Sequence, residues 1–199
     1  MAVRSKTTIF NAALLRTGNS AVTEGDGSPV WQALDANYDE IVRAAFEKGE
    51  YPFGKSRTTL TSRSTGTFGY DDAYSMPSDV IHVSRVFLNT YDTDDTGARW
   101  DVNAETNELL VNAGSQTVEI EYFKVGQEHT WSAAFTDGVM SKLRAVIKDV
   151  QEEAAEAAQL DSDGDYQFLQ AGVKAGKNRS QRRVWKKHGG RLVRAHRGR

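Results

Sequence analysis

A chain of 199 residues is long enough for one compact domain, or for a body with a smaller lobe, that buries roughly 70% of its unfolded surface. At 39% hydrophobic and 26% charged, with 17 Gly and 3 Pro, it is neither collagen-like, low-complexity nor disordered throughout. The net charge of -2 conceals a segregation: all 27 acidic residues lie at or before Asp165, whereas 11 of the 25 lysines and arginines lie at or after Lys174, so residues 1–173 carry -13 and the last 26 carry +11.

Ser5 is placed to cap a first helix over roughly residues 5–17. Ile9, Ala12, Ala13 and Arg16 share one side of it, Leu14 and Leu15 lie nearby, and Gly18 ends it. A loop rich in turn formers leads to Ser28-Pro29, a cap followed by a first-turn proline. From there Trp31, Leu34, Tyr38, Ile41 and Ala45 form one apolar stripe, closed by Lys48-Gly49. Tyr51-Pro52-Phe53 and the threonine-rich run after it disfavour a helix and predict extended chain. Strands are expected at Val80–Phe87, at Trp100-Asp101-Val102, at Glu108–Asn112 and at Val118–Phe123, joined by polar turns into a small antiparallel sheet. The helical period returns from Ser132 or Thr136, with Phe135, Val139, Leu143, Val146, Val150, Ala154 and Ala157 on one side as far as about Gln159. The run Asp161–Asp165 is expected to break that helix. Tyr166, Leu169 and Val173 then open a shorter one that merges into the basic end. The predicted class is α+β: a mainly helical body (1–55 and 130–173), a β-rich insertion (56–129) and an extended basic C-terminal tail (174–199).

The chain has no Cys, which removes a disulfide framework, a thiolate nucleophile and any Cys-containing zinc site. No apolar run approaches the roughly 20 residues of a membrane span, and the opening lacks the apolar stretch of a signal peptide, so a soluble cytoplasmic protein is expected. Gly49–Ser56 matches G-x-x-x-x-G-K-[ST] formally. A phosphate loop needs a strand before it and a helix after it, and its backbone N–H groups must be free. Here a helix precedes, threonine-rich chain follows, and Pro52 removes a donor, so no nucleotide site is expected. Asp161, Asp163 and Asp165 resemble half of a calcium loop. However, its sixth position is Tyr166 and its twelfth Gly172, where Gly and Glu belong, so a helix-breaking acidic turn is the preferred reading. Asp92, Asp94 and Asp95 read as a solvated turn. His82, His129, His188 and His196 show no paired ligand spacing. No catalytic residue, cofactor or metal is predicted, and the chain is read as not an enzyme. Asn178-Arg179-Ser180 is a formal glycosylation sequon without further support.

The basic end is the remaining signal. Lys174, Lys177, Arg179, Arg182, Arg183, Lys186, Lys187, Arg191, Arg194, Arg197 and Arg199 surround Val184, Trp185, Leu192 and Val193. Such a segment can contact nucleic-acid phosphates, dock on an acidic protein or stay solvated. The aromatic and aliphatic set favours docking, because phosphate binding needs no apolar anchor.

In the order of its elements the chain resembles the phage head-to-tail connector or adaptor proteins, the relatives of the tail accessory factor and of tail tubular protein A. The resemblance rests on an opening helix with Asn11–Leu14, a second helix with Trp31, Tyr38 and Phe46, and Tyr51-Pro52-Phe53 followed by Lys55, Arg57 and Leu60. Further along, Ala73–Val80 stands before a strand, Tyr122-Phe123 ends a later strand, and a long alanine-rich helix leads to the terminal tail. Phe53 stands where that family often has Trp, and Gly54 where Ala is common. The resemblance implies a ring, usually twelve-fold, in the neck of the virion and assembled in the host cytoplasm. Its C-terminal tail would dock on the portal protein and its opposite face would receive a tail or stopper protein. Genomic DNA would pass through the lumen without specific binding, and an acidic body suits such a lumen by repelling phosphate. The competing reading is a DNA-binding module that uses the basic tail.

Overall fold

The computed structural model describes residues 4–177. Helix α1 (Lys6–Arg16) starts at Ser5, whose hydroxyl accepts from the Thr8 N–H while the Thr8 hydroxyl accepts from the Ser5 N–H, a reciprocal capping box. Helix α2 (Pro29–Lys48) is capped by Ser28, with Pro29 at its first position. Helix α4 (Ala133–Val150) is capped by Ser132 and followed by α5 (Ala154–Lys177). Among the described residues, no helix is long and apolar enough to cross a membrane.

These four helices enclose an aromatic core. Phe135 sits at its centre, with ring centroids 4.8 Å from Tyr51, 4.9 Å from Trp131, 5.1 Å from Phe46 and 5.2 Å from Phe168. The Tyr-Pro-Phe element packs into this core, with Tyr51 1% exposed and both Tyr51 and Phe53 against the Phe46 and Phe135 rings. Gly54 follows because nothing larger fits: a Cβ there would lie 2.4 Å from the Phe46 ring and 2.6 Å from the Lys124 carbonyl oxygen.

Between α2 and α4 the chain forms two four-stranded antiparallel sheets rather than the single sheet expected. The first has the order β1 (Lys55–Leu60), β8 (Val118–Phe123), β4 (His82–Leu88), β5 (Tyr91-Asp92). The second has the order β2 (Arg63–Thr65), β3 (Asp72–Ser75), β7 (Glu108–Val111), β6 (Trp100–Asn103). The single-sheet expectation missed β3 because its residues do not alternate: Asp72, Ala73 and Tyr74 are all buried. Leu60, Val86, Val118 and Ile120 from the first sheet meet Tyr74, Leu109 and Val111 from the second in a separate apolar core. Chain passes directly from the edge strand β1 to the edge strand β2. The opposite edges, β5 and β6, are joined through the short helix α3 (Thr93–Thr96), whose cap is Asp92. Lys55 and His82 both pair with Phe123, so the first sheet meets the helices at that end, while Leu60, Val118 and Leu88 lie at the other.

Two expectations about the C-terminal third are corrected. The helix expected to run to about Gln159 ends at Val150. There the Glu152 N–H donates to the Asp149 carbonyl and the Glu153 N–H to the Lys148 carbonyl, with Glu152 at φ 63°. The run Asp161–Asp165, expected to break a helix, lies inside α5. Lys142 of α4 holds it there: its amine lies 2.8 Å from Asp161 and 3.1 Å from Asp165, and its methylenes cover Gly164. Cross-helix pairing thus removes the repulsion between acids that would otherwise disfavour a helix at this point. The hydroxyl of Thr93 is buried without a hydrogen-bond partner, so the Asp92–Asp95 turn is partly packed rather than merely solvated.

Candidate docking surface

Helix α5 packs Ala157, Leu160, Phe168 and Ala171 against the body. Phe168 is the anchor. Its ring reaches Phe135, and its carbonyl accepts a 3.3 Å hydrogen bond from the Tyr51 hydroxyl, whose pKa burial pushes up to about 12, so the hydroxyl stays a donor at neutral pH. Close approach of α4 and α5 depends on Gly138, where a Cβ would sit 2.7 Å from the Phe168 ring.

The opposite side of α5 carries three exposed apolar residues, of which Leu169 and Val173 also border a groove. Tyr166 is 58% exposed, Leu169 63% and Val173 48%, at the spacing of three and four that keeps them on one stripe. These residues were expected to begin a helix; here they form an apolar row facing outward on the helix that leads into the basic end.

Beside the row, a groove separates α5 from α2. Its first part, about 570 Å³, is lined by Ile41, Ala44, Ala145, Ala157, Ala158 and Phe168, with Glu40, Asp149, Asp161, Asp165, Lys48 and Lys142 among its polar residues. The second part, about 540 Å³, is lined by Tyr51, Leu169, Gly172 and Val173 and shares Lys48, Asp165 and Phe168 with the first. Burial alone would raise the pKa of Asp165. Together the hydrogen bonds and charges of Lys142 and Lys48 outweigh that and lower it, so this carboxylate stays ionised.

Of the residues singled out for docking, Lys174 is exposed on α5 and Lys177 is its last residue. The remaining thirteen, from Arg179 to Arg199 and including Trp185, lie outside the described residues. The sequon at Asn178 and both His188 and His196 lie there too. Composition had located the charge but not the groove, because a depression lined by alanines carries no sequence signal until the helices that form it are docked.

At the formal phosphate-loop match, the segment after α2 is a single turn of 3-10 helix (Pro52–Gly54) followed by β1. The Lys55 amine lies 2.6 Å from Glu121 rather than in a nest of free backbone donors. Among the described residues, no three His, Asp or Glu side chains gather as a metal site would require. Compared with models of known protein families and with curated proteins, the chain matches none.

Proposed function

We propose that this chain is a structural head-to-tail adaptor of a tailed bacteriophage: a subunit of a ring that sits beneath the portal, surrounds the DNA channel and joins portal to tail. The observation that carries the reading is the exposed apolar row Tyr166, Leu169 and Val173 on α5, the helix that precedes the basic segment in sequence. Row and segment together offer a partner an apolar strip followed by cationic anchors, the composition of a docking element rather than of a catalytic site. The acidic body supports the reading independently, since a surface of formal charge -13 repels duplex phosphates that must slide past it.

Electron microscopy of the full chain mixed with its portal tests this. The expected result is a collar of subunits on one end of the portal, lost in a Trp185→Ala variant, whose affinity should fall by about 2 kcal/mol or more if the indole is a buried anchor. The competing reading, a DNA-binding module, predicts tight duplex binding at physiological salt that weakens steeply as salt rises, with no attachment to portal. That combination would overturn the proposal.

A further inference from the structure

Phe68 is 83% exposed, the most of any large apolar side chain among the described residues, and its backbone holds it that way. It has φ 53° and Gly69 φ 87°, and the Tyr70 N–H donates to the Thr67 carbonyl at 3.0 Å: a turn with both central residues at positive φ, as in type I′. Asn, Asp or Gly suits the first central position of such a turn, and a bulky side chain there is strained. The tip is also rigid. At Gly66 a Cβ would run into the Tyr70 carbonyl oxygen, and the Asp71 N–H donates to Asn112 Oδ1 at 2.8 Å. Asn112 begins the turn from β7 to β8, where the Thr117 N–H donates to Asn89 Oδ1 and the Asn89 N–H to the Thr117 carbonyl, both at 2.9 Å. The β2–β3, β4–β5 and β7–β8 turns are thus tied together at the end of the lobe away from the helices. Charge at that end is mainly acidic, with Asp71 three residues after Phe68 and Asp92 and Asp94 just beyond the β4–β5 turn.

A hollow on the helical body matches this tip in size and charge. Ile9 and Ala12 of α1 and Ala133 and Met140 of α4 line a space of about 310 Å³, and a cavity of roughly 150 Å³ already admits benzene. The exposed Arg4 and Arg16 border it against one acid, Asp137. Arg4 is held in place by the Trp131 carbonyl at 2.8 Å and the Thr136 hydroxyl at 3.1 Å, and neither arginine has an ion-pair partner among the described residues. The groove between α2 and α5 is wider but sets Glu40, Asp149, Asp161 and Asp165 against Lys48 and Lys142, which opposes an acidic tip. We propose that Phe68 of one copy of the chain seats in the α1–α4 hollow of a second copy, its ring against Ile9 and Met140 and Asp71 toward Arg16. The six residues of β1 span about 20 Å, which keeps the rigid tip away from the helices of its own chain. Knob and hollow are different patches, so the contact is head-to-tail, and its repetition gives a closed ring or an open filament according to the rotation between copies. One phenyl group buries far less than the roughly 1,200 Å² of a stable interface, so the contact is weak in dilute solution and fills when copies are concentrated or held side by side. The inference does not rest on the adaptor reading.

A full chain with isotope-labelled methyl groups and Phe68→Asn, a residue suited to the turn, keeps the hollow and lacks the knob. Adding unlabelled parent chain up to about 1 mM should progressively shift the methyl NMR signals of Ile9, Ala12 and Met140, while Ile41 in the α2–α5 groove and Leu109 in the β core stay in place. Unlabelled Phe68→Asn chain should shift nothing. Arg16→Glu in the labelled chain should weaken the titration roughly five-fold or more. The proposal is overturned if the hollow's methyls stay in place, if Phe68→Asn chain moves them as far as the parent does, or if the α2–α5 methyls move instead. A titration indifferent to Arg16→Glu would also sink it. Phe68→Asn should melt no lower than the parent; a lower midpoint would mean that the ring packs within its own chain, contrary to the proposal. Phe68-dependent binding to phosphatidylcholine vesicles, without any shift between copies, would make a lipid surface the occupant and overturn it as well. None of these outcomes involves the portal, so the adaptor reading stands or falls separately.

Discussion

Gly138 and Asp72 show at single positions what holds each of the two parts together, the helices in one case and the strands in the other. Gly138 lets α5 approach α4, and the Phe168 ring fills the space a methyl would need. Gly138→Ala should therefore destabilise the chain by about 1–3 kcal/mol despite alanine's better helix propensity, because the buried ring cannot give way without displacing Phe135. Thermal melting monitored by circular dichroism reads this directly, and an unchanged or higher midpoint would show that the helices are not in close contact there.

Asp72, 2% exposed, accepts from Arg63 Nε at 2.7 Å and from the Ala113 and Gly114 N–H groups at 2.9 and 3.0 Å. Burial pushes its pKa up, but the Arg63 guanidinium and the two backbone donors together outweigh it and hold the carboxyl below its usual range. With the folded-state value depressed, the stabilisation is complete above the unfolded value of about 4 and is lost as pH falls through the folded one. Asp72→Ala, which strands two N–H groups, should cost about 2 kcal/mol at neutral pH. The gap in melting temperature between parent and variant should narrow on acidification below that range. A gap that widened toward acid would mean the carboxylate is not stabilised by these partners.

At the scale of elements, α1, α2 and most strands were legible because each rests on local signals: a serine cap, a proline at the first helical turn, an alternating run. The α4–α5 boundary was not. A helix end with its C′ residue in the left-handed region is usually announced by glycine, and here that residue is Glu152. The glycine that did appear, Gly164, belongs to a helix stabilised by Lys142 from its neighbour, a long-range effect that no local window contains. The single-sheet expectation failed for a related reason. β1 and β2 are close in sequence but belong to different sheets, and only packing of the two inner faces separates them. Glu152→Gly should relieve the left-handed strain and raise stability by about 1 kcal/mol, seen as a higher midpoint in urea with an unchanged slope. A lower midpoint would mean that the glutamate side chain contributes more than its backbone costs.

For the molecule as a whole, sequence made the segregation of charge plain and left the groove between α2 and α5 hidden. An acidic body carrying a basic end should resist self-association through repulsion of like parts until a complementary surface neutralises the end. Light scattering on dilute full chain should give the monomer mass of 22.0 kDa. A stable ring formed without portal would refute partner-gated assembly while leaving the adaptor reading in place.

The way the sheets join the helices has a mechanical side. Both Lys55, where β1 begins, and Phe123, where β8 ends, lie at the helical end of the sheet, paired over the six positions that finish at Leu60 and Val118. A pull applied between the helices and the far end of the strands would run along them. Both strands would carry that load in parallel through their covalent backbones, and the hydrogen bonds between them would be neither sheared nor peeled apart. Such a connection resists lengthening, a useful property in any part that must transmit tension.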